Sequence, residues 1–145
     1  MKNFITSLLI FVSVIGFSQT ITLDEMIKLR GKPLNEVNDY IISKGLNLDR
    51  ANDVETVWKK GNLFFGYKKM DDGSIEVAVQ TQNKKQYEAL LTSVKAKGMK
   101  VVKTFSMSDP YQALVTQYED KSFIVNSKVM TNNDANAYSF TLGKK

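Results

Sequence analysis

The apolar residues of three segments recur with the spacing of amphipathic helices. Thr22 and Glu25 have the spacing of a capping box just before the first stripe. Pro33 precedes the second stripe and suits a first helical turn, and Asn83 is placed to cap the third. A glycine follows each stripe, as is common at helix C-termini. The pattern predicts helices over residues 22–30, 33–44 and 83–97.

Alternation of apolar and polar residues takes over after the second helix and again after the third. It predicts antiparallel strands that bury one face. Asp72 and Gly73 are a strong hairpin signal between two of these strands, because such a pair accepts the positive φ of tight turns. The predicted strands cover residues 54–58, 63–67, 75–80, 99–107, 111–118, 122–130 and 137–142.

The two halves of the chain resemble each other at an offset of 53 residues, the separation of Gly45 and Gly98. This offset lays Val37 on Leu90 and keeps the polarity of the neighbouring positions. Chance similarity of amphipathic helices is the alternative to a repeat. With a repeat, we expect an α+β fold in which two helix groups pack on one face of a single antiparallel sheet of six or seven strands.

This order of elements is similar to the β-lactamase-inhibitor-protein architecture and to the related small outer-membrane assembly lipoprotein domains. The resemblance rests on element order and on a helix–Lys–Gly–strand junction that occurs at Lys44-Gly45 and again at Lys97-Gly98. The chain lacks the disulfides of the inhibitor and the lipid-attachment cysteine of the lipoproteins, so no functional residue is carried over. The resemblance implies an uncovered sheet face that binds another protein.

The first residues have the three parts of a secretory signal: Lys2, an apolar run over 4–17, and small residues at Gly16 and Ser18. We expect a signal peptide over residues 1–18 and a single domain over 19–145, in the periplasm or secreted. A membrane span needs about 20 apolar residues, so no stable membrane anchor is expected. A retained interfacial helix is the alternative.

The residue types absent from the chain exclude several chemistries. There is no histidine and no cysteine, which removes disulfides, histidine general bases, triads built on histidine and nearly all zinc sites. No glycine-rich nucleotide motif occurs. We therefore expect no cofactor, no metal and no enzyme activity. A hydrolase that uses only carboxylates, with Glu55 and Glu76 facing each other, is one alternative. A carrier that holds a small apolar ligand between the helices and the sheet is another.

The formal net charge is +5, and nearly all of the basic residues are lysines. Specific reading of nucleic acid favours arginine, so we expect no nucleic-acid partner. A diffuse field of lysines attracts an acidic protein or an anionic envelope polymer, although lysines also serve for solubility alone.

The candidate site lies on the sheet face that the helices leave uncovered. Alternation places Val57, Lys59, Phe64 and Lys68 on that face. An aromatic ring among charges is typical of a protein-binding hot spot, with Phe64 as the anchor and the lysines as its rim. An ordinary solvated sheet face is the alternative. The function that fits these features is an exported, non-catalytic binding protein, best taken as an inhibitor or immunity-type protein that blocks an envelope-acting enzyme.

Overall fold

A computed structural model describes residues 20–108, 112–132 and 135–145. Over these ranges the chain forms three helices and eight strands. In chain order they are α1 (Leu23–Arg30), α2 (Leu34–Ser43), β1 (Asn47–Ala51), β2 (Glu55–Lys60), β3 (Leu63–Lys69), β4 (Ile75–Thr81), α3 (Lys84–Ala96), β5 (Lys100–Met107), β6 (Ala113–Glu119), β7 (Phe123–Asn132) and β8 (Ala135–Lys144). The predicted signal peptide over 1–18 lies outside the described residues.

All eight strands belong to one sheet, in the order β1-β2-β3-β4-β8-β7-β6-β5, and every neighbouring pair is antiparallel. The predicted α+β class and single antiparallel sheet are confirmed, but the predicted count of six or seven strands is wrong. The additional strand is β1, an edge strand whose five residues are all exposed. Leu48 lies among polar neighbours there, so β1 has no buried face to produce an alternating pattern.

The predicted caps of α1 and α3 and the glycines after α2 and α3 are confirmed in atomic detail, whereas Pro33, predicted in the first turn of α2, lies one residue before it. The backbone N–H of Glu25 donates to Thr22 Oγ1 at 3.2 Å, and the N–H of Thr22 donates to Glu25 Oε2 at 2.7 Å. These two bonds complete the capping box. Asn83 caps α3 by accepting from two backbone N–H groups. Gly45 and Gly98 have φ values of 83° and 73° after α2 and α3, a conformation that other residues rarely adopt.

One buried cluster joins the three helices to one phase of the strands. Trp58, Phe65 and Phe140 are its largest fully buried residues, and each is at most 1% exposed. Trp58 pairs in register with Phe65, and Phe140 lies on the same face of the sheet. Met26 and Val94 are among the cluster's helix residues. We call this side of the sheet the helix-side face. Among the described residues, strand residues of the opposite phase lie outside the cluster, and we call their side the open face.

The two halves of the sheet have the same topology. Each half contributes four strands, preceded by α2 in the first half and by α3 in the second, with α1 as an additional helix before α2. The last strands, β4 and β8, meet at the centre, where Ala78 pairs with Thr141. The first strand of each half has a bulge, after Leu48 in β1 and after Val101 in β5, at positions 53 residues apart. An approximate two-fold axis perpendicular to the sheet therefore relates the halves near Ala78 and Thr141.

Glu25 links the start of α1 to the end of α2. Its carboxylate forms an ion pair with Lys44 and accepts a hydrogen bond from the Tyr40 hydroxyl, in addition to the Thr22 N–H. Burial opposes ionisation of this carboxyl. The hydrogen bonds from Lys44, Thr22 and Tyr40 outweigh burial and hold the pKa of Glu25 below its ordinary value.

We expect Glu25→Gln to lower the free energy of unfolding at pH 7 by about 1 kcal/mol, the difference between a charged and a neutral hydrogen bond. Because the pKa is lowered in the folded state, this contribution is complete above about pH 5, where an unfolded glutamate is ionised. It disappears as the pH falls through the lowered pKa. Urea unfolding at several pH values measures the difference. The control is Glu36→Gln, which removes an exposed helix ion pair with Lys32 and should change stability by about 0.3 kcal/mol. A Glu25→Gln difference that is independent of pH would contradict the account.

Candidate binding face

The open face is made of the strand residues that alternate with the core residues. The strand register orders these residues into rows that run across the sheet. One row reads, from β2 to β5, Val57, Gly66, Ala78, Thr141, Asn126, Gln117 and Lys103. The next row reads Lys59, Phe64, Gln80, Ser139, Lys128, Val115 and Phe105. Most of these residues are polar or small.

Lys59 and Phe64, two of the four predicted site residues, lie side by side. They pair across β2 and β3, and the Lys59 ammonium lies 5.1 Å from the centroid of the Phe64 ring. Phe64 is half-buried and Lys59 is exposed. The arrangement is a cation–π contact on the surface, which holds the ring in place while leaving part of it accessible.

Lys68 is farther from the anchor and lies between two acidic residues. It pairs with Glu55 of β2 on one side and with Glu76 of β4 on the other. Phe64 and Lys68 are four residues apart along β3, or about 13 Å. Lys68 therefore adds less positive field to the face than Lys59 does.

Val57 is predicted as a site residue of this face, but the structure shows that its side chain is buried. Val57 lies on the open face but is only 3% exposed. It lines the same pocket as Arg50, Glu55 and Phe64, whose longer side chains flank it, while Gly66 beside it has no side chain. Val57 supports the surface from below and offers almost no contact area of its own.

The half of the open face formed by β5, β6, β7 and β8 contains residues that the sequence analysis missed. Phe105 is half-buried there, and the Lys103 ammonium lies 4.8 Å from its ring centroid. The bulge in β5 explains the omission. Val101 pairs with Tyr118 on the helix-side face, whereas Phe105, four residues later, pairs with Val115 on the open face. An unbroken alternation would place both residues on the same side.

Carboxylates of the open face either form ion pairs with neighbouring cations or are disfavoured in their ionised form by burial. Glu55 lies 3.3 Å from Arg50, and Glu119 lies 2.7 Å from Lys145. Glu76 is half-buried, and burial raises the pKa of its carboxyl, although Lys68 opposes the shift. The lysines therefore determine the sign of the field that an approaching molecule meets on this face.

The geometry gives little support to the two alternatives from the sequence. Glu55 and Glu76 are two strands apart with Lys68 between them, a separation of about 9.6 Å. A retaining glycosidase pair is about 5–5.5 Å apart, and this spacing is at the upper end of the inverting range. The space between the helices and the sheet, where a small apolar ligand was considered, is filled by side chains such as Trp58 and Phe140.

In comparisons with known proteins, no protein-family model, no curated protein and no solved structure matches the chain. Within the described ranges, no group of three or more acidic side chains is arranged to hold a metal ion. In the same ranges, no helix combines the length and the apolarity needed to cross a bilayer.

Proposed function

We propose that the chain is an exported, non-catalytic binding protein that holds an acidic surface of another protein against its open sheet face. One observation carries the proposal. A single register row has a half-buried phenylalanine near each end, and a lysine ammonium lies over each ring, Lys59 on Phe64 and Lys103 on Phe105. Aromatic anchors bordered by positive charge match the composition of protein-binding hot spots.

The size of the face favours a macromolecule. Phe64 lies in β3 and Phe105 in β5, which are five positions apart in the sheet order, or roughly 24 Å. A molecule that contacts both rings must span the width of an ordinary protein interface. The ammonium groups that contact the two rings belong to lysines, which attract carboxylates without the geometric selection that arginine applies to phosphates and bases. Arg50 beside Phe64 is paired with Glu55.

The sharper form of the proposal is an inhibitor or immunity-type protein that blocks an enzyme acting in the cell envelope. Three features support this form: the signal-like residues 1–18, the small size of the chain, and the absence of histidine and cysteine. An inhibitor needs an adhesive surface and no catalytic groups. The open face supplies apolar anchors and charge for that purpose.

Affinity capture tests the proposal. Residues 19–145 are immobilised, the envelope fraction of the producing cell is passed over them, and the retained protein is identified by mass spectrometry. We expect one dominant protein with an acidic surface. Retention of nucleic acid, or of nothing that binds saturably, would contradict the proposal.

Association kinetics with the captured protein then test the charges. We expect Lys59→Glu to slow association about threefold to tenfold at low salt, with an effect that fades as salt is raised. Lys68→Gln should have a smaller effect, because Lys68 lies between Glu55 and Glu76. Lys85→Glu is the control, since this exposed lysine lies on α3. Equal slowing by the variants at positions 59 and 85 would indicate a general charge effect instead of a site.

A further inference from the structure

The β5–β8 half of the open face contains a groove of about 520 Å³. It is separate from the smaller pocket of about 220 Å³ beside Phe64. Its volume is in the range of sites that hold drug-sized ligands. Its lining combines polar and apolar side chains, and the members that carry apolar surface or positive charge include Lys103, Phe105, Met107, Val115, Lys128 and Lys144.

The groove has an apolar wall and a mixed floor. Phe105 and Met107 are half-buried and line the groove from β5. Val115 pairs with Phe105 but is only 3% exposed, so it supports the surface from below. Gln117 and Asn126, in the adjacent register row, also line the groove. A phenylalanine and a methionine beside polar side chains suit a ligand that has an apolar group and a polar or charged group, because methionine adapts its shape to what it contacts.

Cationic groups lie on both sides of this floor. Phe105, Val115 and Lys128 follow one another in a single register row, so the ring and the lysine flank Val115. Lys103 pairs with Gln117 in the adjacent row, and its ammonium lies over the Phe105 ring. A ligand lying against the Phe105 ring would have positive charge within reach at two of its edges.

The equivalent positions in the other half lack this arrangement. The matching bulges place Arg50 where the second half has Lys103. Arg50 pairs with Glu55, so its charge is neutralised locally. The residue that corresponds to Phe105 is Asn52, whose side chain accepts backbone hydrogen bonds in the β1–β2 turn. At these two equivalent positions, therefore, the second half has a lysine beside an aromatic ring, whereas the first half has a paired arginine and an asparagine.

We propose that this groove binds an amphipathic anion, a planar apolar group that bears a carboxylate, sulfonate or phosphate. The apolar part lies against Phe105 and Met107, and the anionic part contacts Lys103 and Lys128. Glu76 is the acidic residue among those that line the groove, and its charge disfavours such a ligand. The proposal goes beyond the proposed function, since it requires no protein partner.

The test uses anilinonaphthalene sulfonate as the probe, followed by fluorescence titration and by NMR mapping of backbone amides. We expect saturable binding of one probe per chain, with shift changes concentrated in β5, β6 and β7. Neutral N-phenylnaphthylamine has the same aromatic skeleton without the sulfonate, and inorganic sulfate has the charge without the rings. Each should bind at least about tenfold more weakly, because each lacks one of the two contacts.

Matched variants assign the site within the open face. We expect Lys103→Gln combined with Lys128→Gln to weaken probe binding about tenfold. Lys85→Gln combined with Lys95→Gln removes the same charge from the exposed surface of α3 and should leave affinity within about twofold. Glu76→Gln should strengthen binding, because it removes a like charge from the groove. Circular dichroism verifies that each variant is folded.

Several outcomes would overturn the groove proposal. The first is that the sulfonate probe does not bind saturably, and the second is that the neutral probe binds with equal affinity. The others are that both double variants lose the same probe affinity, and that the amide shift changes lie on the helix-side face. Should the first double variant fail to fold, the direction of the Glu76→Gln effect decides, and weaker binding in that variant would overturn the proposal. None of these outcomes involves a protein partner, so failure here leaves the proposed function to its own capture experiment.

Discussion

Replacing Trp58 with alanine is expected to lower the free energy of unfolding by about 3–5 kcal/mol. Trp58 is completely buried, and its ring centroid lies 5.9 Å from that of Phe65. Its indole N–H donates to Asn38 Oδ1 of α2 at 3.1 Å. The substitution therefore leaves a cavity between α2 and the sheet and removes a hydrogen bond that joins them. A loss of this size is a large part of the roughly 5–15 kcal/mol that stabilises a small domain.

Urea unfolding followed by circular dichroism measures this effect without depending on tryptophan fluorescence. The control is Val54→Ala, because Val54 is 51% exposed and its truncation should change stability by less than about 0.5 kcal/mol. Neither reductant nor chelator should alter either result, since the chain has no cysteine and no histidine. A Trp58→Ala loss no larger than that of the control would contradict the placement of Trp58 in the core.

The elements that could be predicted from the sequence are those determined by neighbouring residues. Thr22 and Glu25 form the capping box that their spacing predicts. Gly73 has a φ of 78° in the β3–β4 turn, where Asp72 accepts a hydrogen bond from the Ser74 N–H. Each of these features depends on contacts over a few residues, so the local sequence contains the necessary information.

The features that could not be predicted depend on the strand register. Strand β1 (Asn47–Ala51) is held by backbone hydrogen bonds to β2, and its exposed side chains leave no pattern of burial. The bulge between Val101 and Lys103 moves Phe105 to the open face, and no residue in that stretch marks the bulge. Alternation in the sequence therefore predicts the Phe64 half of the candidate face but not the Phe105 half.

The sequence predicts on which side of the sheet the candidate site lies. It does not predict the burial of each site residue or the charges that neighbour it. Alternation correctly assigns Lys59 and Phe64 to the side opposite the core. The burial of Val57 depends on the length of the side chains around it. The positive field of Lys68 is partly offset by Glu55, which lies opposite it on the neighbouring strand. Both properties arise from pairs of strands, which a single strand sequence does not specify.

Truncation of Phe64 is expected to weaken binding of the captured partner by about 2 kcal/mol or more, as truncation of a central aromatic anchor does. The Phe64 ring is half-buried, and Lys59 holds it by a cation–π contact. Phe64→Ala therefore removes the apolar anchor and also releases the lysine that borders it. Because the ring lies outside the core cluster, the variant should keep its fold.

The dissociation constant of the Phe64→Ala variant for the captured partner tests the central claim most directly. Ile42→Ala is the control, because Ile42 is 49% exposed on α2 and is equally apolar. We expect the dissociation constant to rise about thirtyfold or more for Phe64→Ala, the equivalent of about 2 kcal/mol. It should not change for Ile42→Ala, and the circular dichroism of both variants should be unchanged. A Phe64→Ala variant that is folded and binds like the wild type, or one that loses its fold, would contradict the assignment of the open face as the binding surface.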